Sequence, residues 1–145
     1  MTKIEGRWAG EALSLLRIVA ALLFLLHGTG KLFGLPPIGL DPPPLSLFWI
    51  AGVIEIIGSL LLIAGLASRP VAFLLSGEMA IAYWMVHAPQ STFPILNKGE
   101  SAILFCFIFL LIAAAGPGPW SLDAKRKRLV VEIEDKATGE PMPEG

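Results

Sequence analysis

Five ionisable side chains fall inside the long apolar runs of this sequence, where a charge must be paired or solvated. They are Arg17, His27, Lys31, Glu55 and Glu78. Within a bilayer each costs about 3 kcal/mol on insertion scales, so such residues usually face other helices or a water-filled cavity. A helix that advances about 100° per residue places His27 and Lys31 about 40° apart, and Arg17 about 40° from Lys31. The three basic groups therefore form one polar stripe that is expected to face a helix bundle.

Glu55 and Glu78 each fall near the middle of an apolar run, and both are expected to meet the basic stripe inside the bundle. Gly52 and Gly58 flank Glu55, so a neighbouring helix can approach closely there. Arg17 is the expected partner of one carboxylate, because a guanidinium can donate two parallel hydrogen bonds to it. Two interpretations stay open. The charges hold particular helices together, or they form a polar pocket for a small ligand or a proton.

A second group of polar and aromatic residues falls near the end of the third apolar run, at Tyr83, Trp84 and His87. These rings could stack on a quinone head group, whereas an aromatic belt at the membrane–water interface explains them without any ligand. His27 is expected to make a structural hydrogen bond. The two histidines of the chain predict no metal site.

Composition indicates the environment that surrounds these residues. Of the 145 residues, 54% are hydrophobic and only 16% are charged, whereas soluble domains have about 25% charged residues. The mean hydropathy is +0.70, so we expect an integral membrane protein in contact with lipid. The net charge of −1 gives no indication of a nucleic-acid partner. Cys106 is the single cysteine, which excludes an intrachain disulfide and a C-x-x-C redox pair, and it is expected to pack in the core.

The apolar runs predict an all-α fold, a bundle of four transmembrane helices of about 20 residues each. The prolines of residues 34–44 end the first helix. Residues 68–70 predict a tight turn, which makes the second and third spans antiparallel neighbours. The four spans are expected at about residues 10–33, 45–67, 71–88 and 101–116.

Basic residues concentrate on one side of this topology, so both termini are expected to face the cytoplasm from the inner membrane. Residues 1–123 form the predicted membrane domain, and residues 124–145 form a basic and then acidic cytoplasmic tail that is partly disordered. The basic cluster of the tail is expected to lie at the anionic leaflet, and residues 129–134 to form a short strand or an amphipathic turn. The basic residues on the cytoplasmic side are Lys3, Arg7, Arg69, Lys125, Arg126, Lys127 and Arg128.

Two further sites have the pattern of helix starts. Asn97 is predicted near a helix N-cap with Glu100 in the first turn, where the helix dipole favours an acidic residue. Ser121 is predicted to cap a short surface helix with Asp123 in its first turn. Capping explains all four residues without a functional role.

Several motifs follow Arg17 in a fixed order: "HGTGKLFG" at 27–34, "AGVIEIIGSLLLIAGLASRP" at 51–70, "GEMAIAY" at 77–83, "NKGESAIL" at 97–104 and "GPGPWSLD" at 116–123. The ordered set resembles the DoxX family of small four-helix membrane proteins. Pro119 and Trp120 depart from the family, which often has a basic or aromatic residue before "SLD".

The resemblance implies a membrane subunit of a respiratory or thiol/sulfur redox system, with contact to quinone and a role in anchoring a soluble redox enzyme. Founding members are similar to a subunit of a thiosulfate:quinone oxidoreductase. If the chain takes part in an enzyme, the resemblance implies one subunit of it and not a complete enzyme. Two alternatives stay open: a small-solute or proton carrier that uses the two carboxylates, or a purely structural assembly protein. A homo-oligomer is possible in each case.

Overall fold

The computed structural model describes the backbone of residues 3–138 and the side chains of residues 6 and 8–137. Helices and their connections account for this whole region, and no strand occurs within it, which confirms the all-α prediction. The helices are α1 (Lys3–Phe33), α2 (Leu47–Ala64), α3 (Ser68–Ala82), a π-helix (Tyr83–His87) that continues α3, α4 (Pro94–Asn97), α5 (Glu100–Ala115) and α6 (Leu122–Thr138).

Two helical segments are long and apolar enough to cross a membrane, Trp8–Phe33 of α1 and Leu47–Ala64 of α2. Helix α5 is apolar but shorter. Large apolar side chains are exposed along the middle of these helices, for example Leu22 at 48% and Leu104 at 63%, whereas Arg17 and Glu55 are buried. This distribution reverses that of a soluble protein and suits a chain whose outer surface contacts lipid.

The turn between α2 and α3 lies at residues 65–67, so the expectation of a turn at 68–70 is wrong. Gly65 ends α2 in the left-handed conformation, with a φ of 69°. The N–H of Leu66 then reaches back to the Leu61 carbonyl oxygen at 2.9 Å, which satisfies the end of the helix. Pro70 falls in the first turn of α3, where its missing N–H leaves no hydrogen bond unmade.

The bundle consists of two closely packed pairs, α1 with α2 and α3 with α5, and α2 also packs on α3. Helices α1 and α2 cross at Gly28, where an added Cβ would lie 2.9 Å from the Gly52 carbonyl oxygen and 3.0 Å from the Ile56 nitrogen. Helices α2 and α3 meet where Gly58 contacts Leu75. The glycines therefore set how closely the helices approach, and that approach decides which polar side chains meet.

Residues 129–134 lie inside helix α6, so the expectation of a strand or turn there is wrong. Ser121 caps α6 as predicted, since its Oγ accepts a hydrogen bond from the Ala124 N–H at 3.1 Å. With 17 residues, α6 is longer than the short helix expected. The remainder of the tail that was expected to be disordered, residues 139–145, lies outside the described residues.

Gly99, and not Asn97, occupies the N-cap position of α5, whereas Glu100 lies in its first turn as predicted. Asn97 is buried at the end of α4, where its Oδ1 accepts from the Gly99 N–H at 2.8 Å and its Nδ2 donates to the Ser91 carbonyl oxygen at 2.8 Å. Its side chain therefore holds the loop before α5 together.

Candidate functional site

A buried ion pair joins α1 to α2 immediately beside the glycine crossing. The Lys31 Nζ lies 2.6 Å from the Glu55 Oε1, and the two side chains are 14% and 1% exposed. Lys31 follows Gly28 by one turn, and Gly52 contacts the Cβ of Lys31. Because both crossing residues lack a Cβ, the helix backbones come close enough for the ammonium group to reach the carboxylate.

The second carboxylate lies at the same depth in the bundle. Gly58 of α2 contacts Leu75 of α3. Because the two helices are antiparallel, the residue three positions before Gly58 lies at the same height along the bundle as the residue three positions after Leu75. These two residues are Glu55 and Glu78. Glu78 is close enough to Glu55 and Lys31 for their charges to act on it. We call Lys31, Glu55 and Glu78 the acid–lysine cluster.

The cluster has more acceptor oxygens than donors. The Glu55 Oε2 and both carboxylate oxygens of Glu78 are buried, and none has a hydrogen-bond partner among the described residues. The Ser59 hydroxyl, one turn after Glu55 on α2, is also buried and without a partner there. A buried acceptor with no donor is costly, so such groups usually bind a proton, an ordered water or a ligand. This arrangement can therefore hold and release a proton, or accept hydrogen bonds from a polar ligand.

His27 does not join the cluster in the bundle interior, so the expectation that the three basic residues converge is wrong for this residue. Its side chain is exposed, with its ring 6.0 Å from that of Phe24 and 5.7 Å from that of Phe105. Phe24 in turn packs edge-on against Phe109 of α5 at 4.9 Å. The 40° offset from Lys31 turns His27 away from the α1–α2 contact and towards Phe105 of α5. His27 thus lies at the exposed edge of a surface formed by the rings of Phe24 and Phe105, which we call the aromatic wall.

Arg17 pairs with neither carboxylate, so that expectation is also wrong. Its guanidinium donates to the carbonyl oxygens of Leu62, Ile63, Pro117 and Trp120, the last three at 3.0, 2.9 and 2.6 Å. The first two carbonyls belong to the last turn of α2, which carries the negative end of the helix dipole. The Leu62 carbonyl oxygen also accepts from the Gly65 N–H at 3.0 Å. Arg17 therefore caps the C-terminal end of α2. It lies fourteen positions before Lys31, which is about 21 Å away along α1.

Arg69 and Asp123 have structural contacts that the sequence reasoning did not predict. Arg69 donates to the Ala113 and Ala114 carbonyl oxygens at the end of α5, at 2.9 and 2.6 Å. The Asp123 carboxylate accepts from the N–H groups of Ala67 and Ser68 at 3.0 and 2.8 Å, which caps the start of α3. No local pattern signals these contacts, because each of them joins residues that are 44 or more positions apart.

Asp123 lies outside the candidate spans, and its environment favours the charged form. Burial alone would raise the pKa of this carboxyl, but the hydrogen bonds from Ser68 and Ala67, together with the Arg17 charge, lower it below its ordinary value of 3.8. Asp123 is therefore a negatively charged cap at neutral pH.

The aromatic residues Tyr83, Trp84 and His87 lie on the π-helix that continues α3. The Tyr83 ring stacks on His87 at 6.4 Å and meets Trp84 edge-on at 5.5 Å. His87 is tied to the loop before α5 by a contact of 2.9 Å between its Nδ1 and the Asn97 carbonyl oxygen, and Trp84 is 71% exposed. The π-helix is an uncommon element that occurs often at functional sites. Tyr83 follows Glu78 by five residues on the same continuous helix.

No group of three His, Cys, Asp or Glu residues that could hold a metal ion occurs within the described part of the chain. Cys106 is half-buried, and its carbonyl oxygen accepts from the Ser76 Oγ at 2.9 Å.

Comparison with known proteins gives two matches and one negative result. Residues 12–88 match the family model described as DoxX, a segment that contains all three residues of the acid–lysine cluster. An uncharacterized protein of Haemophilus influenzae (strain Rd) is 46% identical over 121 residues, which cover 78% of this chain and 89% of that protein. No solved structure matches the chain.

Proposed function

Because the chain belongs to the DoxX family and is a membrane protein, we propose that it is a membrane subunit of a quinone-linked redox system. In this proposal the acid–lysine cluster exchanges the protons that accompany reduction of a quinone. One observation carries it: a buried ion pair lies beside a second buried carboxylate that has no donor among the described residues.

The chemistry of a quinone matches what the cluster supplies. A quinone takes up a proton with each electron when it is reduced to a quinol. The hydrocarbon core of a membrane has no water to deliver those protons, so buried carboxyl groups have to do so. The Lys31 ammonium can donate a hydrogen bond to a quinone carbonyl oxygen, and Glu78 can hold an exchangeable proton. The electrons would come from a soluble redox partner that this subunit anchors.

The side of the bundle offers a way in for an apolar carrier. His27 is exposed between α1 and α5 beside the rings of Phe24 and Phe105. A quinone whose tail stays in lipid could bring its head group along this aromatic wall towards Lys31, with His27 as a further donor. Tyr83 and His87 on the π-helix form a second surface on which a head group could stack.

The proposal includes a topology of four spans: α1, α2, α3 with its π-helix, and α5. Exposed tryptophans support it, since indole rings favour the membrane interface. Trp8 and Trp120 lie at one end of the bundle and Trp84 at the other, with exposures of 67%, 53% and 71%. The basic residues at 69 and 125–128 support an orientation in which the first end, and both termini, face the cytoplasm from the inner membrane.

Quinone binding by the purified protein tests the proposal. The native chain in lipid nanodiscs is expected to co-purify with quinone and to bind decylubiquinone. Lys31→Met should weaken binding by about tenfold or more, because one charge-assisted hydrogen bond is worth about 1.5–3 kcal/mol. Glu100→Gln, at an exposed acid in the first turn of α5, is the matched control and should bind like the native chain. A native protein that binds no quinone would refute the redox role.

The proton is followed separately by infrared difference spectroscopy of the reduced minus the oxidised bound quinone. The native chain and Glu100→Gln should show a change in a carboxyl C=O band. Glu78→Gln should bind quinone but lose that band change. Glu78→Gln also leaves the Lys31–Glu55 pair in place, so loss of the ion pair cannot explain the effect. If the band persists in Glu78→Gln, Glu78 does not exchange the proton.

The acid–lysine cluster has three buried carboxyl oxygens without a donor among the described residues, and these also favour a second candidate, a proton carrier. In proteoliposomes with an imposed membrane potential and an internal pH dye, a carrier would acidify the lumen, and Glu78→Gln would abolish this. Proton flux without quinone binding would establish the carrier in place of the redox subunit. A protein with neither activity, in which Glu55→Gln destroys the fold, would instead be an assembly protein with the charges as structural contacts.

A further inference from the structure

Helix α6 has an exposed apolar face that no other helix covers. At about 100° per residue, Leu122, Leu129 and Ile133 fall within about 40° of one another on one side of the helix. Their exposures are 45%, 59% and 65%. Among the described residues, α6 forms no extensive packing contact with another helix. We call these three residues the α6 stripe.

The start of α6 is held against the bundle at the level of the membrane interface. The Asp123 carboxylate accepts from the Ser68 N–H at 2.8 Å, and the Asp123 N–H donates to the Gly65 carbonyl oxygen at 2.9 Å. Trp120, two residues before α6, is 53% exposed, and an exposed indole at a helix end favours the interface. The first turn of α6 therefore lies where the hydrocarbon region meets the head groups.

The charges of α6 indicate which partner covers the stripe. Four basic residues in succession, 125–128, follow the first turn, and all four are exposed. Arg126 lies at the edge of the stripe, about 40° from Leu122 and about 20° from Ile133 around the helix. In a contact with another protein this guanidinium would need a carboxylate partner, whereas at a membrane surface its long side chain extends from the apolar region to the phosphates. Basic residues cluster in the first half of α6 and acidic residues follow in its second half, so it is the basic half of this amphipathic helix that suits an anionic lipid surface.

We propose that α6 lies along the surface of the bilayer, with the α6 stripe in the acyl boundary of an anionic leaflet and its basic residues on the lipid phosphates. The helix then forms a platform beside the cytoplasmic ends of the bundle. This inference rests on the four-span topology proposed above but not on the quinone role, because it concerns a different surface and needs no ligand in the bundle.

Dye labels on the full chain in nanodiscs test this. Single cysteines at Leu129, Ile133 and Val131 are placed in a Cys106→Ser background whose Tm matches the native chain. Val131 is the matched control, since it is apolar and 40% exposed but lies about 160° from the stripe. In discs with anionic phosphatidylglycerol, a polarity-sensitive dye should emit at shorter wavelength from 129 and 133 than from 131.

The charge contribution is tested by lipid composition and by substitution. The wavelength difference should shrink in discs of neutral phosphatidylcholine alone, and also when residues 125–128 are all changed to Gln in anionic discs. Equal emission from all three positions in anionic discs would overturn the proposal. So would a difference that is unchanged in neutral lipid and in the Gln variant. A difference seen only in discs that hold two copies of the chain would show a dimer contact and would likewise overturn it.

Discussion

The acid–lysine cluster predicts a large energetic coupling between Lys31 and Glu55. Lys31→Met would leave the Glu55 carboxylate, 1% exposed, without its only donor, since its second oxygen already has no partner among the described residues. Breaking a buried ion pair by removing one partner costs about 3–5 kcal/mol, because the remaining charge stays buried and uncompensated. Each single variant, Lys31→Met or Glu55→Leu, is therefore expected to lose about this much stability.

The double variant distinguishes the net contribution of the ion pair to stability from the loss of stability that follows when only one partner is removed. With Met at 31 and Leu at 55, no charge stays unpaired between α1 and α2, and replacement of a buried pair by apolar residues of similar volume is often neutral or stabilising. The double variant should therefore recover most of the loss of either single variant. The coupling energy should exceed about 2 kcal/mol.

The chain provides a matched control for burial. Lys136 and Glu132 form a pair of the same chemistry on α6, with an N–O distance of 2.7 Å, but their side chains are 74% and 59% exposed. Lys136→Met should cost no more than about 0.5 kcal/mol, because an exposed helical pair is solvated and screened.

Unfolding in mixed micelles with increasing dodecyl sulfate, followed by circular dichroism, measures all of these free energies. If Lys31→Met and Lys136→Met cost the same, burial is not what makes the first pair important. If the double variant is as unstable as the sum of the single variants, the two residues do not act as a pair. Either result would refute the assignment of the cluster.

Three further outcomes are expected from unfolding measurements. Gly28→Ala should lose about 1–3 kcal/mol of unfolding free energy, because the added Cβ meets the backbone of α2. Gly77→Ala, with open space around it, should be neutral or gain up to about 1 kcal/mol. Equal effects of the two changes would contradict the glycine crossing. Arg17→Lys should lose at least about 3 kcal/mol, because one ammonium cannot replace hydrogen bonds to four carbonyl groups; native-like stability would refute this. Asp123→Ala should lose about 1 kcal/mol of helix capping at pH 7. Folding lowers the pKa of Asp123, so its contribution to stability is complete above the ordinary value of 3.8 and is lost as the pH falls below that value. The Tm values of the native chain and of the variant should therefore converge in acid. A gap that persists at low pH would contradict this.

The positions of the helices were largely predictable, because apolar runs interrupted by proline and glycine leave few alternatives. The start of α3 shows the limit. Pro70 suggested a turn, but the left-handed Gly65 made the turn earlier, and the proline was accommodated within the first helical turn. Likewise, residues 129–134 alternate in a way that suits a strand, but they continue a helix that Ser121 had already started.

The five charged positions were identifiable from sequence because a charge in an apolar run is conspicuous, but their partners were not. Helical periodicity places Arg17, His27 and Lys31 on one side of α1 without indicating which neighbour each one meets. The carbonyl groups at the end of α2 accept from Arg17, and His27 contacts Phe105 of α5.

By itself, the sequence determined that the chain is helical, belongs to a membrane and buries a few charges, because composition and periodicity depend only on neighbouring residues. Only the tertiary structure decided that Lys31 pairs with Glu55, that Glu78 lies beside them with no donor in the described part of the chain, and that Asp123 caps α3 from 55 residues away. The physical reason is that helix crossings depend on steric contacts such as that of Gly28 with Gly52. Those contacts form between distant parts of the chain, and no local pattern encodes which side chains they bring together.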